Sequence, residues 1–236
     1  MKFYVFLIYL FNLCNSFFTP QIKTSSGNKL IIKGKGPPLL FSTGLYGTMP
    51  SFLYSDLINE LKRNNTIVTI DGFVPILDNT IEDICNALRV DKIGYIGHSS
   101  FNPESLNNNY ITNALLIDPI NIPWINFNGI NNKPTILTYP TKIIKAKKLY
   151  YGEKTLPEWQ NPTFQGNYTE EYYEEVGHPD ILDNTWANIA KSFGLWDMAE
   201  GEKMKYEDWS YNMKNSVPAI RKKYIKYVAK SFNENY

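Results

Sequence analysis

The chain has 236 residues, of which 43% are hydrophobic and 15% aromatic, enough for one domain with a sizeable core. Its formal charge is only +1, which gives no charge excess of the kind that nucleic acid or a strongly acidic partner would need. Its two cysteines, Cys14 and Cys85, are too few for a disulfide framework.

The first segment, MKFYVFLIYLFNLCNSFF, places Lys2 before an apolar run and ends in small polar Asn15 and Ser16. That is the layout of a signal peptide over residues 1–16, and the run is too short to span a bilayer. A buried first strand is the alternative. Removal of the signal would take Cys14 with it and leave Cys85 alone. The next residues, FTPQIKTSSGNK, are basic and hydroxyl-bearing. They resemble the second half of a plastid presequence in algae that import through the ER, which would extend the leader to about residue 28. The expected destination after the ER is therefore such a plastid or secretion. Asn64-Asn65-Thr66 and Asn167-Tyr168-Thr169 are glycosylation sequons, short enough to arise by chance in an Asn-rich chain.

From residue 29 to 236 the pattern alternates. KLIIKG (29–34) and PPLLFST (37–43) read as strands. PSFLYSDLINELKRN (50–64) reads as a helix, with Leu53, Leu57 and Leu61 on one face and Ser51 as its cap. TIVTID (66–71) is a strand. NTIEDICNALRV (79–90) is a helix with a capping box of Asn79 and Glu82. KIGYIGH (92–98) and ITNALLIDP (111–119) are apolar strands. KPTILTY (133–139) and EYYEEVGH (171–178) are further strands. Residues 120–132 read as loop and 145–168 as an irregular insertion. WANIAKSFG (186–194) is helical, and SVPAIRKKYIKYVAKSF (216–232) is an amphipathic helix. Its Arg221, Lys222, Lys223, Lys226 and Lys230 read as a solvated face, with a membrane-surface contact as the minor alternative.

Strands joined by single helices imply right-handed crossovers, a mainly parallel sheet with helices on both faces, and ligands at the strands' carboxyl ends. The residues that follow the strands are then the candidates: Thr43-Gly44-Leu45-Tyr46-Gly47, Asp71, Ser99, Asp118 and His178. Gly97-His98-Ser99-Ser100-Phe101 is nearly the Gly-x-Ser-x-Gly turn that presents a nucleophilic serine. A serine needs a histidine to take its proton and a carboxylate to orient that histidine. The chain has only His98 and His178, and Ser99, Asp118 and His178 stand in the order Ser…Asp…His.

Four stretches in order resemble plant chlorophyllases: residues 39–72 with the glycine turn, GYIGHSS, ALLIDPI and VGHPDILDN. The resemblance covers roughly residues 37–190, with gaps after 120. Lipases and platelet-activating-factor acetylhydrolases share the residue order. The resemblance implies an α/β-hydrolase fold without a large cap domain. It implies Ser99 as nucleophile, His178 as general base and Asp118 as orienting acid, 19 residues after Ser99. Backbone N–H groups of Ser100 and of Leu45 or Tyr46 would form the oxyanion hole. Asp180 and Asp183 read instead as helix caps. The implied substrate is a hydrophobic ester, chlorophyll or a lipid, with no cofactor and no metal. Phe101 departs from the family, which carries glycine there. Its ring either lines the substrate pocket or turns under a short helix broken by Asn102-Pro103. The elbow is then remodelled with Ser99 still exposed, or the scaffold persists as a non-catalytic lipid- or pigment-binding protein.

Overall fold

The computed structural model describes residues 22–44, 46–72, 75–101, 103–120, 134–146, 162–173, 176, 178–183 and 217–234. The expected signal at 1–16, the loop at 121–132 and the helix at 186–194 lie outside the described residues. Eight strands form one sheet in the order β1-β2-β4-β3-β5-β6-β7-β8. They are β1 (Ile22–Lys23), β2 (Lys29–Gly34), β3 (Pro38–Ser42), β4 (Thr66–Asp71), β5 (Ile93–Ser100), β6 (Ile111–Ile120), β7 (Thr135–Ala146) and β8 (Phe164–Tyr173). The first two pairings, β1–β2 and β2–β4, are antiparallel and the other five are parallel. Among the described residues the first strand pairing joins Ile22 and Lys23 to Leu30 and Lys29.

The helices are α1 (Ser55–Leu61), α2 (Asp78–Leu88), α3 (Pro103–Leu106) and α4 (Val217–Asn233). Successive strand residues point to opposite faces, and two cores follow from that. Leu39, Phe41, Ile96, Leu115 and Ile117 pack with α1 and α4. Leu40, Val68, Tyr95, Leu116 and Ile143 pack with Ile81, Ile84 and Cys85 of α2 and Leu106 of α3. Helices thus cover both faces, as the alternation implies. None of the described helices is long and apolar enough to cross a membrane.

Four local expectations are corrected. Residues Ser51–Tyr54 form a 3-10 turn, and α1 starts only at Ser55; Pro50 holds the cap position without a side-chain bond, so Ser51 is not the cap. The Leu53 carbonyl accepts the Asp183 N–H at 2.8 Å, a tertiary contact that stands in place of a regular helical bond. In α2 the reciprocal cap joins Leu77 and Thr80: the Leu77 N–H donates to Thr80 Oγ1 (2.9 Å) and the Thr80 N–H to the Leu77 carbonyl (3.0 Å). Asn79 lies inside the helix, and Glu82 instead accepts from the Tyr110 hydroxyl. The strand expected at 133–139 runs on to Ala146 through Pro140. Proline has no N–H to give, and the β7–β8 ladder breaks register between Leu137 and Thr141. Finally, β8 occupies part of the expected insertion, and His178 opens a 3-10 turn (His178–Ile181) rather than ending a strand.

Helix α4 buries Tyr224, Ile225, Val228, Ala229 and Phe232 and exposes Lys222, Lys223, Lys226 and Lys230. Arg221 departs from the expected solvated face. It is 5% exposed, and its Nε donates to the Asp180 carbonyl at 3.2 Å.

Candidate active site

Strand β5 lies between β3 and β6 and is buried along all eight residues. At its carboxyl end Ser99 has φ +64°. A side chain in this left-handed region costs about 1–2 kcal/mol, and it persists only where the surroundings enforce it. The enforcement here is the ladder with β6. His98 pairs with Ile117 and Ser100 with Ile120, so Ser99 alone stands opposite Asp118 and Pro119. That two-against-one bulge re-aims side chains at the strand end. Asp118 is itself at φ +43° and 5% exposed, and its Oδ1 accepts the N–H of Ala146, the last residue of β7, at 3.2 Å. Ser99 and Asp118 therefore occupy neighbouring strands at one edge of the sheet.

The turn after β3 closes on itself. The Thr43 hydroxyl donates to the Met49 carbonyl (2.6 Å), the Gly47 N–H to Thr43 (2.8 Å) and the Met49 N–H to Gly44 (3.1 Å). Tyr46, at φ +61°, donates its N–H to the Ser100 carbonyl at 3.0 Å. The Tyr46 N–H is already committed to the elbow's own carbonyl, and Leu45, the other choice in this turn, lies outside the described residues.

His98 directly precedes Ser99. It is 2% exposed, and its Nδ1 lies 2.8 Å from the hydroxyl of Tyr54, which also accepts the Gly44 N–H at 2.9 Å. Tyr54 is fully buried, and that burial pushes its phenol well above the ordinary range, with the Gly44 N–H opposing the shift. A Cβ at position 44 would meet Met49 Sδ at 2.8 Å and the Tyr54 hydroxyl at 3.0 Å, so a larger residue there would have to displace the Met49 side chain and press on the phenol. Sequence patterning missed Tyr54 by reading its helix as a leucine face. The available signal was a phenol among apolar neighbours, which needs a polar partner when buried.

The side chain of His178 lies outside the described residues, but the turn that carries it is held from two sides. Asp183 accepts from the Ser55 hydroxyl at 2.8 Å and donates its N–H to the Leu53 carbonyl, which ties the turn to the start of α1. Arg221 holds the Asp180 carbonyl from α4. Tyr224 of α4 is buried in the first core. Its phenol is raised well above its usual value, first by burial and then by the charges of Asp118 and Asp180.

Phe101 packs under α3. It is 3% exposed, belongs to the second core and stacks on Phe164 with centroids 5.9 Å apart. It shares that core with Leu106, Ile111, Leu137 and Tyr139. Among the described residues no group of three or more His, Cys, Asp or Glu could hold a metal ion.

No protein-family model matches this sequence, and no curated protein matches it either. Solved structures do. The naproxen esterase of Bacillus subtilis, a carboxylesterase, aligns over 82% of this chain and 97% of its own at 13% identity, with TM-score 0.50. A serine hydrolase involved in carbazole degradation aligns over 77% of this chain and 100% of its own at 13% identity, also with TM-score 0.50. At such identities the likeness is one of fold, and the chain has the α/β-hydrolase fold.

Proposed function

We propose that the protein is a serine ester hydrolase acting on a hydrophobic ester, of the chlorophyllase kind. One observation carries the reading: Ser99 is held at φ +64° at the carboxyl end of a central parallel strand, beside a bulge that brings Asp118 to the same edge. Backbone strain of this kind gathers at functional sites, and the strand-to-helix turn is where this fold presents a nucleophile. The names of the two structural neighbours, an esterase and a serine hydrolase, support the general class.

The chemistry would run in two halves. Ser99 Oγ attacks the ester carbonyl while His178 takes its proton, and Asp118 steadies the imidazolium. Backbone N–H groups near Ser100 and the turn after β3 receive the developing oxyanion. His178 returns the proton to the departing alcohol, which is phytol if the substrate is chlorophyll. Water then cleaves the acyl-enzyme with the same histidine as base. The placing of Phe101 in the second core while Ser99 keeps the left-handed turn supports the reading of a remodelled elbow.

Purified protein would be offered a fluorophosphonate probe, p-nitrophenyl esters of increasing chain length, and chlorophyll. Labelling and turnover that vanish in Ser99→Ala support the reading. Turnover of chlorophyll distinguishes a chlorophyllase from a lipase-like carboxylesterase, which would accept only the simple esters. Absence of labelling with an intact fold would refute the hydrolase and leave a binding protein on a hydrolase scaffold.

A further inference from the structure

We infer that Tyr54 is a positioning residue, whose hydroxyl locks the turn after β3 to the segment that presents Ser99. The inference rests on the reading of Ser99 as nucleophile. The two neighbours of Ser99 each hold one end of the turn. On one side the Ser100 carbonyl takes the Tyr46 N–H at 3.0 Å. On the other the Tyr54 hydroxyl bridges the Gly44 N–H, at 2.9 Å, and His98 Nδ1, at 2.8 Å. Gly44 and Tyr46 are thereby each tied to a neighbour of Ser99, in the turn where the proposed reading expects an oxyanion donor.

Proton counting fixes the direction of the bridge. The phenol has one proton and accepts the Gly44 N–H through its oxygen. Its possible acceptors are His98 Nδ1 at 2.8 Å and Met49 Sδ at 3.7 Å. The nitrogen is nearer and far the better acceptor, so the phenol proton is assigned to it and the ring hydrogen of His98 to Nε2. His98 is then committed as an acceptor on its Nδ1 side and serves the turn, which leaves His178 as the base. The ring of Tyr54 needs no hydroxyl to stay in place, because it packs edge-on against Phe41 with centroids 5.0 Å apart.

Tyr54→Phe keeps that packing and removes only the bridge. The expected result is a kcat lowered roughly ten- to a hundredfold with KM changed less than about twofold, since the interaction acts on transition-state geometry. Amide exchange at Gly44 should quicken by roughly tenfold or more as its N–H loses its acceptor. His98→Ala should reproduce the kcat loss, and His98→Asn should recover most of it, because the asparagine Oδ1 can accept where Nδ1 does. An unchanged kcat in Tyr54→Phe, or equal losses in His98→Ala and His98→Asn, overturns the inference. If wild-type protein takes no fluorophosphonate label, the hydrolase reading fails, and Gly44 exchange decides the lock by itself. Exchange unaltered in Tyr54→Phe then overturns it, and faster exchange upholds it.

Discussion

Strands β5 and β6 at the centre of the sheet and strands β7 and β8 at its edge handle backbone geometry differently. In the centre, β5 is buried throughout and the strand ends hold Ser99 at φ +64° and Asp118 at φ +43°. At the edge, β8 is exposed over most of its length, and among the described residues the positive φ in β7 or β8 falls on Gly166. There the glycine is required, since a Cβ would lie 2.2 Å from the Leu137 carbonyl oxygen. The edge is joined across its surface by Lys142–Glu171 at 2.9 Å and Lys145–Glu170 at 3.1 Å, and the Tyr227 hydroxyl also bonds Glu171. A strand whose ladder with β6 is paired on both sides of the serine can hold it in a strained turn, because relaxing it would break those pairings. A strand with one neighbour has no such leverage and uses glycine and surface charge instead.

The strongest way to break this contrast is at Ser99. Ser99→Ala should lower kcat on the order of a millionfold if Ser99 is the nucleophile. Ser99→Gly should be equally inactive yet more stable than Ser99→Ala by about 1 kcal/mol in urea unfolding, because glycine takes φ +64° freely. Equal stability of the two variants would mean that the centre stores no strain. Asp118→Asn comes next. A fall in kcat on the order of ten-thousandfold is expected, while unfolding should shift by less than about 1 kcal/mol, since an amide oxygen can still accept the Ala146 N–H.

Phe101→Ala tests packing beside the site rather than chemistry within it. Loss of a buried, stacked ring should cost about 3–5 kcal/mol by chemical denaturation. Preference among esters of different chain length should not change; a selective loss on long esters would return Phe101 to the substrate pocket. The smallest effect belongs to the edge. Lys145→Ala should cost at most about 1 kcal/mol, less in high salt, because partly exposed ion pairs are weak and screened. A larger cost would show that the edge carries more of the fold than its exposure suggests.

The central strands were legible because they are apolar runs bounded by turn residues, and Gly97-His98-Ser99 marked the elbow within one of them. Strand β8 was not, for a physical reason. GNYTEE at an exposed edge buries neither face, so no period appears, and its order comes from pairing with β7. The bulge opposite Ser99 is equally invisible in sequence, since it is a mismatch of register between two strands that each look regular. Tyr54 and Arg221 were misread alike. Each sits in a helix whose pattern implies one environment, while a contact from a distant segment supplies another: His98 for Tyr54 and the Asp180 carbonyl for Arg221.

Cys85 offers a use that has nothing to do with ester chemistry. It is wholly buried in the second core, where burial first and the charge of Glu82 second push its thiol up to about 11. At mildly alkaline pH a reagent such as iodoacetamide therefore finds neither access nor thiolate while α2 stays docked. In a Cys14→Ser chain, the rate of alkylation becomes a clock for the undocking of that helix. Run with and without a tight ester analogue, the clock would report whether occupancy at the sheet's carboxyl edge is felt in the layer beneath it.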